Sequence, residues 1–281
     1  FTWDTVDSSV GASSNTYVAW AWKANGGTTT TNDASSTGVG TIDSVYQANT
    51  TAGFSIVTYT GTGSAGTIAH GLGAVPGWII IKARTEPTGG VHFGSDQGNW
   101  IVYHQGVASD PATDVLLLNE QNAVSDSTGH MNDTAPTSSV FTINTNVDVN
   151  ESSDTYVAYC FAEKQGYSKF GGYSGNGDAD GLFVYTGFSP AWIMIKRTDS
   201  SSNGNWFIID NKRTTINPRL GHLRANQNNA ENTSTNQSID FLSNGFKLRD
   251  ANTSLNNGTY VYMAFAEHPF VSSKGVPVTA I

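Results

Sequence analysis

The sequence predicts an all-β protein of tandem β-sandwich domains joined by short linkers, and three observations predict it. Short blocks rich in β-branched and aromatic residues recur along the chain in one fixed order. Clusters of Gly, Pro, Asn and Ser bound each block, as they bound strands. Only 13% of the 281 residues are charged, about half the ordinary share, so the polar surface falls to the Asn, Thr, Ser and Gly of turns and strand faces.

The blocks define the elements. The first occurs three times, as Thr16-Tyr-Val-Ala-Trp-Ala-Trp-Lys23, Thr155-Tyr-Val-Ala-Tyr-Cys-Phe-Ala-Glu163 and Thr259-Tyr-Val-Tyr-Met-Ala-Phe-Ala-Glu267, each after an acidic, Asn/Ser-rich turn. A second pairs Pro76-Gly-Trp-Ile-Ile-Ile-Lys82 with Pro190-Ala-Trp-Ile-Met-Ile-Lys196. A third pairs Asn99-Trp-Ile-Val-Tyr103 with Asn205-Trp-Phe-Ile-Ile209, and a weaker fourth pairs Asn119–Ala123 with Asn226–Ala230. Residues 1–25 read as the C-terminal strands of a preceding β domain, with the chain starting inside a longer polypeptide. Residues 26–52 read as a Gly/Thr/Ser-rich linker in which Ile42–Tyr46 adds a strand. Residues 53–165 and 166–269 are two sandwich repeats, and 270–281 a C-terminal tail. Helix signals are nearly absent, with one short turn expected in Pro111–Ala123.

Alternation puts Tyr156, Ala158, Cys160 and Ala162 on one face of their strand and Val157, Tyr159 and Phe161 on the other. Such a strand, apolar on both faces, suits a central strand packed on both sides. The matched aromatics Trp78, Trp192, Trp100, Trp206, Tyr156, Tyr260, Phe161 and Phe265 are therefore expected in the core. Lys82 and Lys196 close the Trp strands, Glu163 and Glu267 the Tyr-Val strands, and each repeat is expected to pair its own Lys with its own Glu.

Sites of chemistry are weighed and set aside. Gly61-Thr-Gly63-Ser-Ala-Gly66 spells a dinucleotide fingerprint, with Glu86 where a ribose-binding acid would sit. The breakers after it forbid the required helix, so a hairpin turn is expected. Asp178 and Asp180, and the trio Asp148, Glu151 and Asp154, could suggest a cation loop, but the sister repeats lack the acids and turn chemistry explains them. The histidines His70, His92, His104, His130, His222 and His268 show no zinc spacing, and no nucleophile elbow is present. No catalytic, cofactor or metal residues are assigned. Cys160 aligns with Ala21 and Ala264 and reads as a packing position. Sugar stacking would use loop aromatics that differ between repeats, with His92 and Phe93, Tyr103 and His104, or Tyr167 and Phe170 as candidates. The formal charge of -9 disfavours nucleic acid and anionic membranes, and no apolar run is long enough for a membrane span.

Several long strings resemble a repeat domain of virion proteins from marine tailed phages. They are Asn49–Gly63, Ile68–Arg84, Phe188-Ser-Pro-Ala-Trp-Ile-Met-Ile-Lys-Arg197 and the closing Ala266–Pro277, so the resemblance covers residues 49–281, with the Trp20-Ala-Trp22-Lys23 segment more distant. It implies a structural virion protein: a fibre or appendage on the particle surface, homo-oligomeric, contacting other virion proteins and contributing to host attachment, with a host-surface glycan as candidate partner. It carries over no catalytic residue. A secreted carbohydrate-binding or adhesion module is the alternative, and a polysaccharide depolymerase a more distant one.

Overall fold

The computed structural model describes residues 12, 15–85, 98–107 and 110–268. In chain order these carry β1 (Thr30–Asn32), α1 (Ala34–Thr37), β2 (Ser44–Asn49), β3 (Phe54–Thr60), β4 (Gly66–Ala69), β5 (Trp78–Ala83), β6 (Ile101–His104), β7 (Asp114–Leu117) and β8 (Ser125–Asp126). Next come α2 (Thr128–Met131), β9 (Val140–Ile143), α3 (Val147–Asn150), β10 (Thr155–Phe161), β11 (Ser168–Ser174), β12 (Phe183–Tyr185), β13 (Pro190–Arg197), β14 (Trp206–Asp210) and β15 (His222–Arg224). A single 3₁₀ turn at Thr235–Gln237 precedes β16 (Ile239–Leu242), β17 (Gly245–Leu248) and β18 (Thr259–Ala266). The protein is all-β apart from these short turns of helix.

The strands form four sheets. The largest has the order β1-β2-β3-β10-β5-β6-β7-β8, and a five-stranded sheet has the order β11-β18-β13-β14-β15. A pair β4-β9 and a trio β12-β17-β16 make the smaller sheets. The run β3-β10-β5-β6-β7 is matched strand for strand by β11-β18-β13-β14-β15. In both, the Tyr-Val strand is central and antiparallel to its neighbours, with Phe161 opposite Trp78 and Phe265 opposite Trp192.

Strand alternation then builds three apolar layers. Ala158, Cys160, Ile79, Ile81 and Val57 of the large sheet meet Ile68, Phe141 and Ile143 of the β4-β9 pair. Ile193, Ile195, Phe207 and Tyr262 of the five-stranded sheet meet Val184, Phe246 and Leu248 of the trio. The opposite faces of the two large sheets bury each other, through Phe54, Trp78, Val102, Leu116 and Phe161 on one side and Trp192, Met194, Trp206, Val261 and Phe265 on the other. This third layer is why the central strands are apolar on both faces: each has a core on either side.

The third layer changes the expected organisation. Residues 26–52 are not a bare linker, because β2 pairs along β3 from Ser44 to Asn49 and Ile42 is buried in the first core. The 15–24 segment, expected as part of a preceding domain, lies against this chain's own sheets. It forms no ladder among the described residues, and Trp20, Trp22 and Ala24 instead pack into the layer between the large sheets. Trp22 lies 5.2 Å from Trp192 and 5.4 Å from Phe265, ring centre to ring centre. Pro111–Ala123 holds β7 with hydrogen-bonded turns on either side of it and no helix. Three of the four short helical turns among the described residues start at Asp33, Asn146 and Ser234 caps, whose side-chain oxygens accept free amides, while Ser127 before α2 makes no such bond. The residues 270–281 lie outside the described residues.

Candidate functional site

The residues repeated between the halves form matched buried networks. Tyr59 stacks on Tyr156 with ring centres 5.1 Å apart, and Tyr173 on Tyr260 at 4.9 Å. The Tyr156 hydroxyl donates to Val147 O and accepts from Glu151 N, while that of Tyr260 donates to Thr253 O and accepts from Asn257 N. Asn150 Nδ2 ties Ser64 O to Asn144 O, as Asn256 Nδ2 ties Asp178 O to Asp250 O. Asn119 Oδ1 accepts from Trp100 N and Asn226 Oδ1 from Trp206 N, at 2.9 and 3.0 Å. Each network satisfies main-chain groups that burial would otherwise strand.

The expected core aromatics divide. Trp78, Trp206, Tyr156 and Tyr260 are fully buried, and Trp192, Phe161 and Phe265 nearly so. Trp100 is a correction: it is half-buried at the rim, whereas Trp206 reaches across the third layer and donates from Nε1 to Leu117 O at 2.8 Å.

The Lys–Glu pairing is also corrected, because the register forbids it. Lys82 lies opposite Val157 and Lys196 opposite Val261, each six residues from its intended glutamate, or about 20 Å along a strand. Glu163 instead accepts from Phe170 N and Gln105 Nε2 and pairs with Lys169 at 3.0 Å. With Gln105 also donating to Phe170 O, two side chains cap the outer edge of β11, a way of blunting an exposed edge. Glu267 is exposed at the far end of β18. Lys196 is fully buried and donates to Asn122 O at 2.7 Å, Arg197 O at 2.8 Å and Gln121 O at 3.4 Å, clamping a first-half loop onto the second half. Burial pulls its ammonium down to about 7, with Arg197 adding to the fall.

The other candidates have structural partners. The Gly61–Gly66 segment crosses from the large sheet to β4 in the opposing sheet, so it is an arch between layers rather than a hairpin. A Cβ at Gly61 would stand 2.1 Å from Glu151 O, which accounts for that glycine. Asp180 pairs with Lys247, and Asp148 accepts from Asn99 N and Nδ2 at 2.9 and 3.1 Å. Cys160 is buried, and burial pushes its thiol up to about 12. His104 accepts from Gly106 N at Nδ1, so Nε2 carries the proton and donates to Tyr262 O, joining the halves; burial lowers its pKa to about 4. Among the described residues no group of three His, Cys, Asp or Glu could hold a metal, and no helix is long and apolar enough to cross a membrane.

The loop aromatics named for sugar stacking are not free to stack. Tyr103, His104 and Phe170 are buried on strands, Tyr167 is half-buried in the third layer, and His92, Phe93, Glu86 and Pro269 lie outside the described residues. Exposed rings among the described residues include Phe183 and Tyr185 on β12, 39% and 64% exposed. Strand pairing places them where the first half has Thr67 and Ala69, so comparison of the repeats could have flagged them.

One cavity, of about 320 Å³, lies where the halves meet. Val115, Leu117 and Val124 form an apolar wall, and Ser125, Ser127, His130, Asp148 and the second half's Ser201 bring polar groups. His130 Nδ1 is 2.9 Å from Ser127 Oγ, and its Nε2 has no hydrogen-bond partner. Burial lowers the His130 pKa, opposed by Asp148, and so favours the neutral ring. Sequence reading missed this site because its residues are scattered over β7, β8, α2, α3 and the Ser201 loop, and the position of Asp148 is Ser254 in the other repeat.

The chain belongs to a family described as a domain of unknown function (DUF7483), whose model matches residues 1–269. No curated protein and no solved structure matches it.

Proposed function

We propose that the chain is a duplicated β-sandwich, its two copies fused back to back, serving as a non-enzymatic structural element of a phage virion surface. In this reading it forms a homo-oligomeric fibre or appendage that contributes to host attachment. The observation that carries the structural role is the fate of the repeated polar and aromatic residues. Apart from Trp100, the repeated Tyr and Trp rings pack into the cores, and the paired Asn150 and Asn256 cap main chain. A duplicated scaffold with its repeated side chains committed to packing suits a part that bears load and displays surface. The resemblance of residues 49–281 to tailed-phage repeat domains supplies the biological setting. Electron microscopy of virions from a phage encoding the chain, labelled with antibody to it, should show decoration at symmetric surface positions. Undecorated particles that lack the polypeptide would overturn this reading. A carbohydrate-binding module is the second reading, favoured by the cavity between the halves.

A further inference from the structure

We propose that the cavity at the junction of the halves binds a single neutral hexopyranose unit of a glycan. The inference rests on the attachment reading above for its biology, but its chemistry is local. Val115, Leu117 and Val124 give an apolar wall of the kind that takes the C–H face of a sugar ring, while hydroxyls, an imidazole and a carboxylate edge it. Among the described residues no Lys or Arg lines it, so none is there to pair directly with an anionic ligand. Among the described lining residues Asp148 is the one carboxylate, and both its oxygens accept from Asn99, which makes a poor cation site.

His130 supplies the independent sign of a ligand. It is 3% exposed, Ser127 engages Nδ1, and Nε2 has no partner within the protein. A buried polar atom left unpaired is costly, and a ligand hydroxyl is a group that relieves it. The volume, about 320 Å³, falls at the small end of ligand pockets, which run from about 300 to 1,000 Å³, and so suits one ring rather than an oligosaccharide.

The cavity is also not a by-product of the repeat. Counting back from the matched Asn150 and Asn256, the position of Asp148 is Ser254 in the second half. Its far wall comes from Ser201, held near by the Ala123 N to Ser201 Oγ bond of 3.2 Å and by Lys196 of β13, which donates to Asn122 O beside Ala123. Both halves are therefore needed to form it.

The test is saturation-transfer NMR of the full chain with a panel of neutral methyl hexopyranosides, titrated to a dissociation constant. One ring in such a site is expected to bind in about the millimolar range. Ala123→Trp fills the cavity from its half-exposed rim, and His130→Gln alters the unpaired group; thermal unfolding checks both folds. Binding of at least one hexoside by the native chain, weakened about tenfold or more in Ala123→Trp, supports the proposal. Absence of transfer to every hexoside overturns it, while leaving the virion labelling result untouched. Binding that persists in folded Ala123→Trp overturns it too, because the sugar then sits elsewhere.

Discussion

Lys196 offers the sharpest prediction, because the structure fixes both its cost and its use. Its ammonium is fully buried, with a pKa brought by desolvation from 10.5 to about 7. Between those values the unfolded chain holds close to one proton more than the folded chain at this residue. Stability therefore rises with pH across that window, by up to about 1.4 kcal/mol per unit. From pH 7 to pH 9 the gain comes to about 2 kcal/mol. The buried histidines His104 and His222, with pKa values of about 4, are already neutral there. The buried tyrosines act later, since they ionise near pH 10 only in the unfolded chain and then reverse the trend. Urea unfolding of the native chain and of Lys196→Met at pH 7, 8 and 9 measures the effect. The native midpoint should climb with pH, and the variant's should stay nearly flat. At pH 9 the variant should also be less stable by about 2–4 kcal/mol, because Asn122 O and Arg197 O lose their donor. A native curve that is level or falling over this range, or a variant that keeps the climb, refutes the reasoning.

Other perturbations separate the repeated positions. Trp78→Ala should cost about 3–5 kcal/mol and Trp100→Ala about 1, since the first ring is fully buried and the second sits at the rim; chemical denaturation measures the gap. Tyr156→Phe and Tyr260→Phe should each cost about 1–3 kcal/mol, agreeing within about 0.5, because both hydroxyls make the same two bonds; a clear inequality in urea unfolding would show the networks are not equivalent. Cys160 should resist thiol reagents until the chain unfolds, and rapid labelling of the native protein would contradict its buried, protonated state.

The legible part of the fold was its alternation. Tyr156, Ala158 and Cys160 against Val157, Tyr159 and Phe161 announced a strand with two cores, and the repeated blocks gave the matching strands of both halves. What covers the second face was not legible. The partner surface is the other half of the same chain, and periodicity states that a face is apolar without naming its neighbour. The composition of residues 26–52 misled for a similar reason. The Thr- and Ser-rich run served equally for a linker and for β1 and β2, which pair with each other and extend the sheet beyond β3. Lys82 and Lys196 looked like surface ends of strands, yet the antiparallel register put their glutamates at the opposite end. The cavity was the least legible feature. His130, Asp148 and Ser201 have no common spacing; the fold of the first half brings His130 and Asp148 to one cavity, and the docking of the halves adds Ser201.

The third layer also decides how the molecule should unfold. Trp78 and Trp206 lie 5.8 Å apart across it, and the Trp206 Nε1 to Leu117 O and His104 Nε2 to Tyr262 O bonds cross it as well. If the halves were beads on a string, each would expose Phe161 or Phe265, a Trp and several aliphatic side chains on a broad sheet face. Such a patch is one that soluble monomers rarely show. Separating the halves would also strand the carbonyls of Gln121 and Asn122 and the ammonium of Lys196. Neither half is thus expected to be stable with the other unfolded. Calorimetry of the full chain should show one cooperative transition, with calorimetric and van't Hoff enthalpies in agreement. Two resolved transitions would mean that the layer joins domains already stable alone, and that the cavity between them forms by docking rather than by folding.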